Sequence, residues 1–163
     1  MNEIKYIETK VTKEIIDLIY DLDKKYYKIK VPKKWYNRYK YATVILAKTN
    51  DKIIGYALYS PIKEVAYRAI YNEVFIGDIN INEEMFVEKS LYHYLASVVI
   101  IPEYRRQHIG TELFKKIFDK EDNKSIIMFA KTELENNFYL KHFYTKHLNE
   151  MYNIVTNLPK SWL

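Results

Sequence analysis

The chain has 163 residues, no cysteine, 26 lysines and arginines against 21 aspartates and glutamates, and a formal net charge of +5. Without a thiol, neither a disulfide framework, a thiolate metal site nor a cysteine acyl-enzyme is available. The length fits one domain over residues 1–163, no apolar run approaches bilayer length, and no basic stretch leads into an apolar one at the N-terminus, so a cytoplasmic protein is expected.

The basic balance suits a polyanionic partner. Tyrosine occurs 17 times and glycine three times. Tyrosines beside lysines can form stacking surfaces for single-stranded nucleic acid, but a bias toward Lys, Ile, Asn and Tyr along the whole chain explains the same counts.

Residues 4–9 alternate around Ile4 and Tyr6 and predict a first strand. Thr12 is placed to cap a helix whose apolar face is Ile15, Ile16, Leu18, Ile19 and Leu22. Pro32 opens a second, short helix through Trp35, Tyr36 and Tyr39. Residues 41–48 and 53–60 read as a hairpin around Thr49-Asn50-Asp51-Lys52, with Gly55 at a bulge. Residues 62–73 fit either a strand or a short helix. Residues 74–81 have strand composition, interrupted at Gly77-Asp78, and residues 82–90 form an exposed acidic connection.

The stretch from Tyr94 to Leu113 organises the rest. A β-branched run, long enough for a central strand, stops at Pro102, which has no N–H for a sheet ladder. A basic turn follows. From Thr111 the apolar positions Leu113, Phe114, Ile117 and Phe118 take helical spacing. Strand, basic turn, glycine and helix in that order present unpaired N–H groups at a helix start, which favours anions and phosphate most of all. Beyond it lie a buried strand over residues 125–131, a helix over residues 133–146 and a last strand over residues 151–156.

Arg105-Arg106-Gln107-His108-Ile109-Gly110, after a strand ending in Pro-Glu-Tyr-Arg, resembles the acyl-CoA-binding motif of the GCN5-related N-acetyltransferases, Gln/Arg-x-x-Gly-x-Gly/Ala. His108 stands where the family has its first glycine. The resemblance implies an α/β (mixed α+β) fold with a mixed, mostly antiparallel central sheet flanked by helices on both faces, and the element order agrees along nearly the whole chain. It implies acetyl-CoA as co-substrate. Main-chain groups of Val98, Val99 and Ile100 would pair with the pantetheine arm. Arg105, Arg106, Gln107, His108, Ile109, Gly110 and Thr111 would hold the pyrophosphate.

A second stretch, Asn137 to Leu148, resembles the family's Asn-x-x-Ala-x-x-Phe-Tyr-x-Lys-x-Gly-Phe, with Leu140 for the alanine and no Gly-Phe end. On a helix Asn137 and Tyr144, seven apart, share a face. The resemblance implies that Asn137 bonds the pantetheine arm and that Tyr144 is the general acid for the departing thiolate, whose conjugate acid has a pKa of about 8.5. The base is left between His93 and Glu133. The acceptor wall would carry Trp35, Tyr36 and Tyr39 with Asp78, Glu83, Glu84 and Glu88, which suits a cationic amine by charge and cation–π attraction.

The leading expectation is an acetyl-CoA-dependent N-acetyltransferase that transfers directly to a primary amine, whether a small cationic amine or a peptide or protein amine, in a ternary complex. The alternatives are a catalytically silent CoA-binding module and a small basic nucleic-acid-binding protein. A membrane is not an expected partner, no metal site is read, and the oligomeric state is left open, a homodimer included.

Overall fold

A computed structural model describes residues 3–132 and 143–157. One seven-stranded sheet runs through it in the order β1-β2-β3-β4-β5-β7-β6. The strands are β1 (Lys5–Lys10), β2 (Thr43–Thr49), β3 (Lys52–Pro61), β4 (Tyr92–Ile100), β5 (Ser125–Lys131), β6 (Tyr144–His147) and β7 (Tyr152–Thr156). Every neighbouring pair is antiparallel except β4 and β5. The helices are α1 (Lys13–Tyr27), α2 (Glu64–Tyr71) and α3 (Ile109–Lys120).

α1 begins as the sequence predicts. The Thr12 hydroxyl accepts from the Ile15 N–H at 3.3 Å, and the buried stripe is Ile16, Ile19 and Asp23. The stretch after Pro32 is a 3-10 segment, Lys33–Tyr39. α1, this segment and α2 cover one face of the sheet, packing on Val44, Leu46, Tyr56, Leu58, Tyr94 and Ile154. α3 covers the other, where Leu113, Phe114 and Ile117 meet Ala57, Leu95, Ile126 and Val155. Fully burying a side chain such as Ile19 or Ile117 is worth about 1.5–3 kcal/mol against exposure, so each helix is fastened to its own face by its apolar stripe. Helices on both faces of a mostly antiparallel sheet is the architecture expected.

The hairpin stands where predicted. Its register jumps from Ala47↔Gly55 to Lys48↔Ile53, so the extra residue is Ile54, beside Gly55. Residues 64–71 resolve to the helix alternative, because Ala66, Tyr67 and Ile70 fall on one buried face.

Two expectations are corrected. Residues 74–81 form no strand. The Val74 and Phe75 N–H groups are spent on the Ala69 carbonyl at the end of α2, and Asp78–Asn80 is a 3-10 turn, leaving Val74, Ile76 and Ile79 exposed. The helix read over residues 133–146 does not reach Tyr144. Tyr144 to His147 form β6, pairing Tyr144↔Thr156 through His147↔Asn153, as suits a Tyr-Thr pair of strand-favouring residues. Residues 133–142, which hold Glu133 and Asn137, lie outside the described residues.

Candidate active site

β4 carries the site. On one side it pairs with β3 along its length, from Pro61↔His93 to Gly55↔Ile100. On the other, its parallel ladder with β5 holds only Tyr92↔Ser125, His93↔Ile126 and Tyr94↔Ile127. Residues 95–100 run on without β5. A register shift at Leu58↔Ser97 and Tyr59↔Leu95 leaves Ala96 as an extra residue, a β-bulge where the strands part.

The Ile101 N–H donates to the Ile54 carbonyl at 2.9 Å. Backbone groups of alternate residues turn to opposite sides of a strand. Those of Val99 therefore face β3, while those of Val98 and Ile100 face the open edge. A Cβ built on Gly55 would stand 2.6 Å from the Val99 carbonyl oxygen, which agrees. Of the three main-chain positions expected on that edge, Val98 and Ile100 are there and Val99 is not. The Ile100 carbonyl is already taken, by the Tyr27 hydroxyl at 3.0 Å and Arg105 Nε at 3.2 Å. The Val98 N–H and C=O and the Ile100 N–H remain to meet a bound amide.

The turn into α3 is built without glycine. Arg106 and His108 both take left-handed backbone, with φ of 63° and 62°. His108 precedes the helix and supplies no side-chain cap, although its carbonyl accepts from the Glu112 N–H at 3.0 Å. The first amides of the helix, on Ile109, Gly110 and Thr111, have no intrahelical acceptor, and the positive end of the helix dipole lies there. The side chains of Arg106, Gln107 and His108 are exposed, while that of Ile109 is buried among the apolar residues of α3. A Cβ on Gly110 would meet nothing nearer than Ile100 Cγ1 at 4.0 Å, so the mouth has open space as well as donors.

On the α1 face a cavity of about 270 Å3 opens against Ser97 of β4. Trp35, Tyr36 and Tyr39 line it, as expected, together with Asp78, Asp23 and Arg38. Glu83, Glu84 and Glu88 do not; all three are exposed.

Arg38 is 3% exposed. It donates to Asp78 Oδ2 at 2.5 Å, to the Asp78 and Ile81 carbonyls at 3.1 and 2.7 Å, and to the Tyr39 hydroxyl. Tyr94 donates to Asp78 Oδ1 at 2.5 Å. Asp23, 7% exposed, accepts from Tyr36 at 2.5 Å and from Tyr56 at 2.7 Å. Burial pushes the Asp23 carboxyl above the usual carboxylate value, against the two phenol hydrogen bonds that lower it. Burial also pushes the Tyr36, Tyr39, Tyr56 and Tyr94 phenols up, so they stay protonated and act as donors.

The expected catalytic residues fare differently. His93 is buried on the opposite face, its ring 5.9 Å from that of Tyr59, and does not line the cavity. Burial, with Lys124 and Lys10 nearby, pushes its pKa down to about 4. Tyr144 is on β6, 46% exposed, with its ring 6.2 Å from that of Tyr71. Because it sits in a strand, the shared helix face that tied it to Asn137 is lost, and it does not line the cavity. Sequence reasoning missed Asp23, Arg38 and Ser97. The signal for Asp23 was present: Ile16, Ile19 and Asp23 fall on one helical stripe, which puts a carboxylate among core positions.

A family model described as the acetyltransferase (GNAT) family matches residues 13–149. The chain belongs to the GNAT acetyltransferase family. No curated protein sequence matches this GNAT chain. Solved structures share its fold at low identity. Escherichia coli ElaA superposes with a TM-score of 0.61 at 12% identity, over 96% of this chain and 100% of that one. The loading GNATL domain of CurA from Lyngbya majuscula gives 0.63 at 11%, over 93% and 96%. Arabidopsis thaliana Naa50, solved with the bisubstrate analogue CoA-Ac-MVNAL, gives 0.56 at 15%, over 93% and 95%. Among the described residues of this GNAT domain, no helix is long and apolar enough to cross a membrane, and no cluster of three His, Asp or Glu is placed to hold a metal.

Proposed function

We propose that this GNAT domain binds acetyl-CoA along the open edge of β4 and at the mouth of α3, and transfers the acetyl group directly to an amine held in the Asp23 cavity. One observation carries the reading: the β4–β5 ladder ends at Tyr94↔Ile127 while β4 continues to Ile100. That leaves the Val98 and Ile100 amides facing a gap that leads to the first turn of α3.

The residues present fit the co-substrate. The α3 amides and dipole suit a pyrophosphate, and Arg106 adds an exposed cation beside them. Arg105 also stands there, but two of its nitrogens are engaged by Ile100 and Tyr27, so it chiefly positions the strand end. Val98 and Ile100 would pair with pantetheine amides as a neighbouring strand does. Acetyl-CoA supplies the activated acyl group and a thiolate leaving group. A main-chain N–H on the open edge is suited to polarising the thioester carbonyl. Ser97, next to Val98, forms the cavity wall from the same strand, so donor and acceptor approach β4 from its edge and its α1 face.

Two measurements test the reading. Acetyl-CoA and CoA should raise the melting temperature of the chain, by about 2.7 kcal/mol of added stability at 100 times Kd, and an oligonucleotide should not. Thiol release from acetyl-CoA should then depend on an amine. Stabilisation without release over an amine panel would favour a silent CoA-binding module; stabilisation by oligonucleotide alone would sink both.

A further inference from the structure

We infer that Asp23 anchors the acceptor's ammonium and takes its proton, so that the acceptor is a primary alkylammonium. This rests on the acetyl-transfer reading above.

The cavity holds two carboxylates, and their surroundings differ. Asp78 is matched: Arg38 meets one oxygen and Tyr94 the other. Arg38 is spent there, and its guanidinium carbon lies 4.4 Å from the Trp35 ring centre and 4.6 Å from that of Tyr39. The protein's own cation therefore already lies over two of the three wall rings, those of Trp35 and Tyr39.

Asp23 has no cationic partner among the described residues. Each of its oxygens accepts one phenol, Tyr36 on Oδ2 and Tyr56 on Oδ1. A carboxylate oxygen has two acceptor positions, so each keeps one for another donor. A buried carboxylate lacking a counter-ion is costly to hold ionised, and the cation that relieves that cost is the acceptor itself. The groups facing Asp23 are Tyr36 and Tyr56, with Tyr39 close enough to be felt electrostatically by both phenols; Arg38, Asp78 and the rim residue Lys30 line the same cavity.

The proton balance is simple. The amine arrives as R–NH3+ and gives one proton to an Asp23 oxygen. Its freed lone pair forms the C–N bond at the thioester carbonyl carbon. The C–S bond breaks, and its electron pair leaves on sulfur. The second nitrogen proton passes to that sulfur, giving amide and thiol, and Asp23 returns its proton to solvent.

The test is steady-state thiol release by the full chain, with acetyl-CoA and two kinds of nucleophile. One is a panel of primary alkylamines and diamines, protonated at neutral pH; the other is hydroxylamine, which is not. Asp23→Asn should lower kcat/KM for an accepted alkylamine by about 100-fold or more, the usual reach of a general base, and change it little for hydroxylamine. In the variant, kcat/KM for the alkylamine should climb about tenfold per pH unit toward the amine's own pKa, where the parent chain shows a plateau. The melting shift given by acetyl-CoA should persist.

Equal losses with both nucleophiles, or no loss, would overturn the assignment to Asp23 while leaving acetyl transfer standing. So would a parent chain that acetylates only uncharged or aromatic amines. Absence of the acetyl-CoA shift in the parent chain would overturn both. Should Asp23→Asn not fold, Tyr36→Phe decides. It keeps the carboxylate and removes one of its donors, so the acid limb of the alkylamine profile must move to higher pH; an unmoved limb rejects Asp23.

Discussion

The Tyr27 hydroxyl, at the last residue of α1, donates a 3.0 Å hydrogen bond to the carbonyl of Ile100, the last residue of β4. Arg105 closes the triangle, with Nη2 donating to the Tyr27 oxygen at 2.8 Å and Nε to the Ile100 oxygen at 3.2 Å. A strand that has lost its neighbour on one side is thereby held at its free end by a helix whose contacting residue lies 73 positions earlier in the chain.

This clamp should be visible in affinity more than in stability. Tyr27→Phe removes two exposed hydrogen bonds, the one to the Ile100 carbonyl and the one from Arg105 Nη2, each worth about 0.5 kcal/mol at the low end of the usual range. The bond from Arg105 Nε to Ile100 stays, so the end of β4 is loosened rather than released. The expected result is a melting temperature lower by about 2–4 °C at most and an acetyl-CoA KM several-fold higher. Titration by thermal shift or isothermal calorimetry measures it.

The missing motif glycine gives a second test. His108 holds φ at 62°, a conformation that costs an L-residue roughly 1–2 kcal/mol and glycine nothing. Glycine gives back about 0.5–1 kcal/mol as unfolded-chain entropy. His108→Gly should therefore raise stability slightly, by less than about 1 kcal/mol, and tighten acetyl-CoA binding by removing a Cβ at the phosphate mouth. Weaker binding in the variant would mean that the imidazole itself contacts the phosphate.

Two glycines beside the open edge and the helix mouth, Gly55 of β3 and Gly110 of α3, should respond in opposite ways. A Cβ on Gly55 would stand 2.6 Å from a backbone oxygen, that of Val99, and 2.8 Å from Ile100 Cδ1. Gly55→Ala must push β3 and β4 apart, costing about 1–3 kcal/mol as overpacking does, and it should lower acetyl-CoA affinity because the displaced strand is the binding edge. A Cβ on Gly110 finds open space. In the first turn of α3, Gly110→Ala should be neutral or gain up to about 1 kcal/mol from helix propensity. Denaturant melts of the two variants decide.

The sheet core and α3 were legible because their signals are local: β-branched runs for β4 and β5, and three-and-four spacing for Leu113, Phe114, Ile117 and Phe118. Elements settled by long-range pairing were not. Tyr144 and Lys146 carry no strand alternation of their own and become β6 only because β7 offers a free edge. Residues 74–81 have strand composition, yet their N–H groups are consumed by the end of α2. The site divides the same way. The turn before α3 and the cavity's aromatic wall could both be read from the resemblance to the family. Asp23, Tyr56 and Ser97 come from α1, β3 and β4, and only the fold brings them to one place.

His93 provides the last test, and it separates structure from catalysis. The ring is 5% exposed, and its pKa is pushed from 6.5 down to about 4 by burial, with Lys124 and Lys10 adding to the effect. Between those two values the unfolded chain takes up a proton that the folded chain refuses. Stability therefore falls as pH drops through this window, by up to about 1.4 kcal/mol per pH unit, and the loss is complete below about 4. Above 6.5 the ring is neutral in both states and contributes no pH dependence. His93→Phe keeps an aromatic ring against Tyr59 and abolishes the titration. Melts of parent and variant between pH 4 and 7 should diverge as pH falls, the variant losing less. Turnover at pH 7.5 should change little, since the imidazole lies on the face of the sheet away from the cavity. A variant that keeps its fold but loses more than about 100-fold in kcat would return His93 to the role of base.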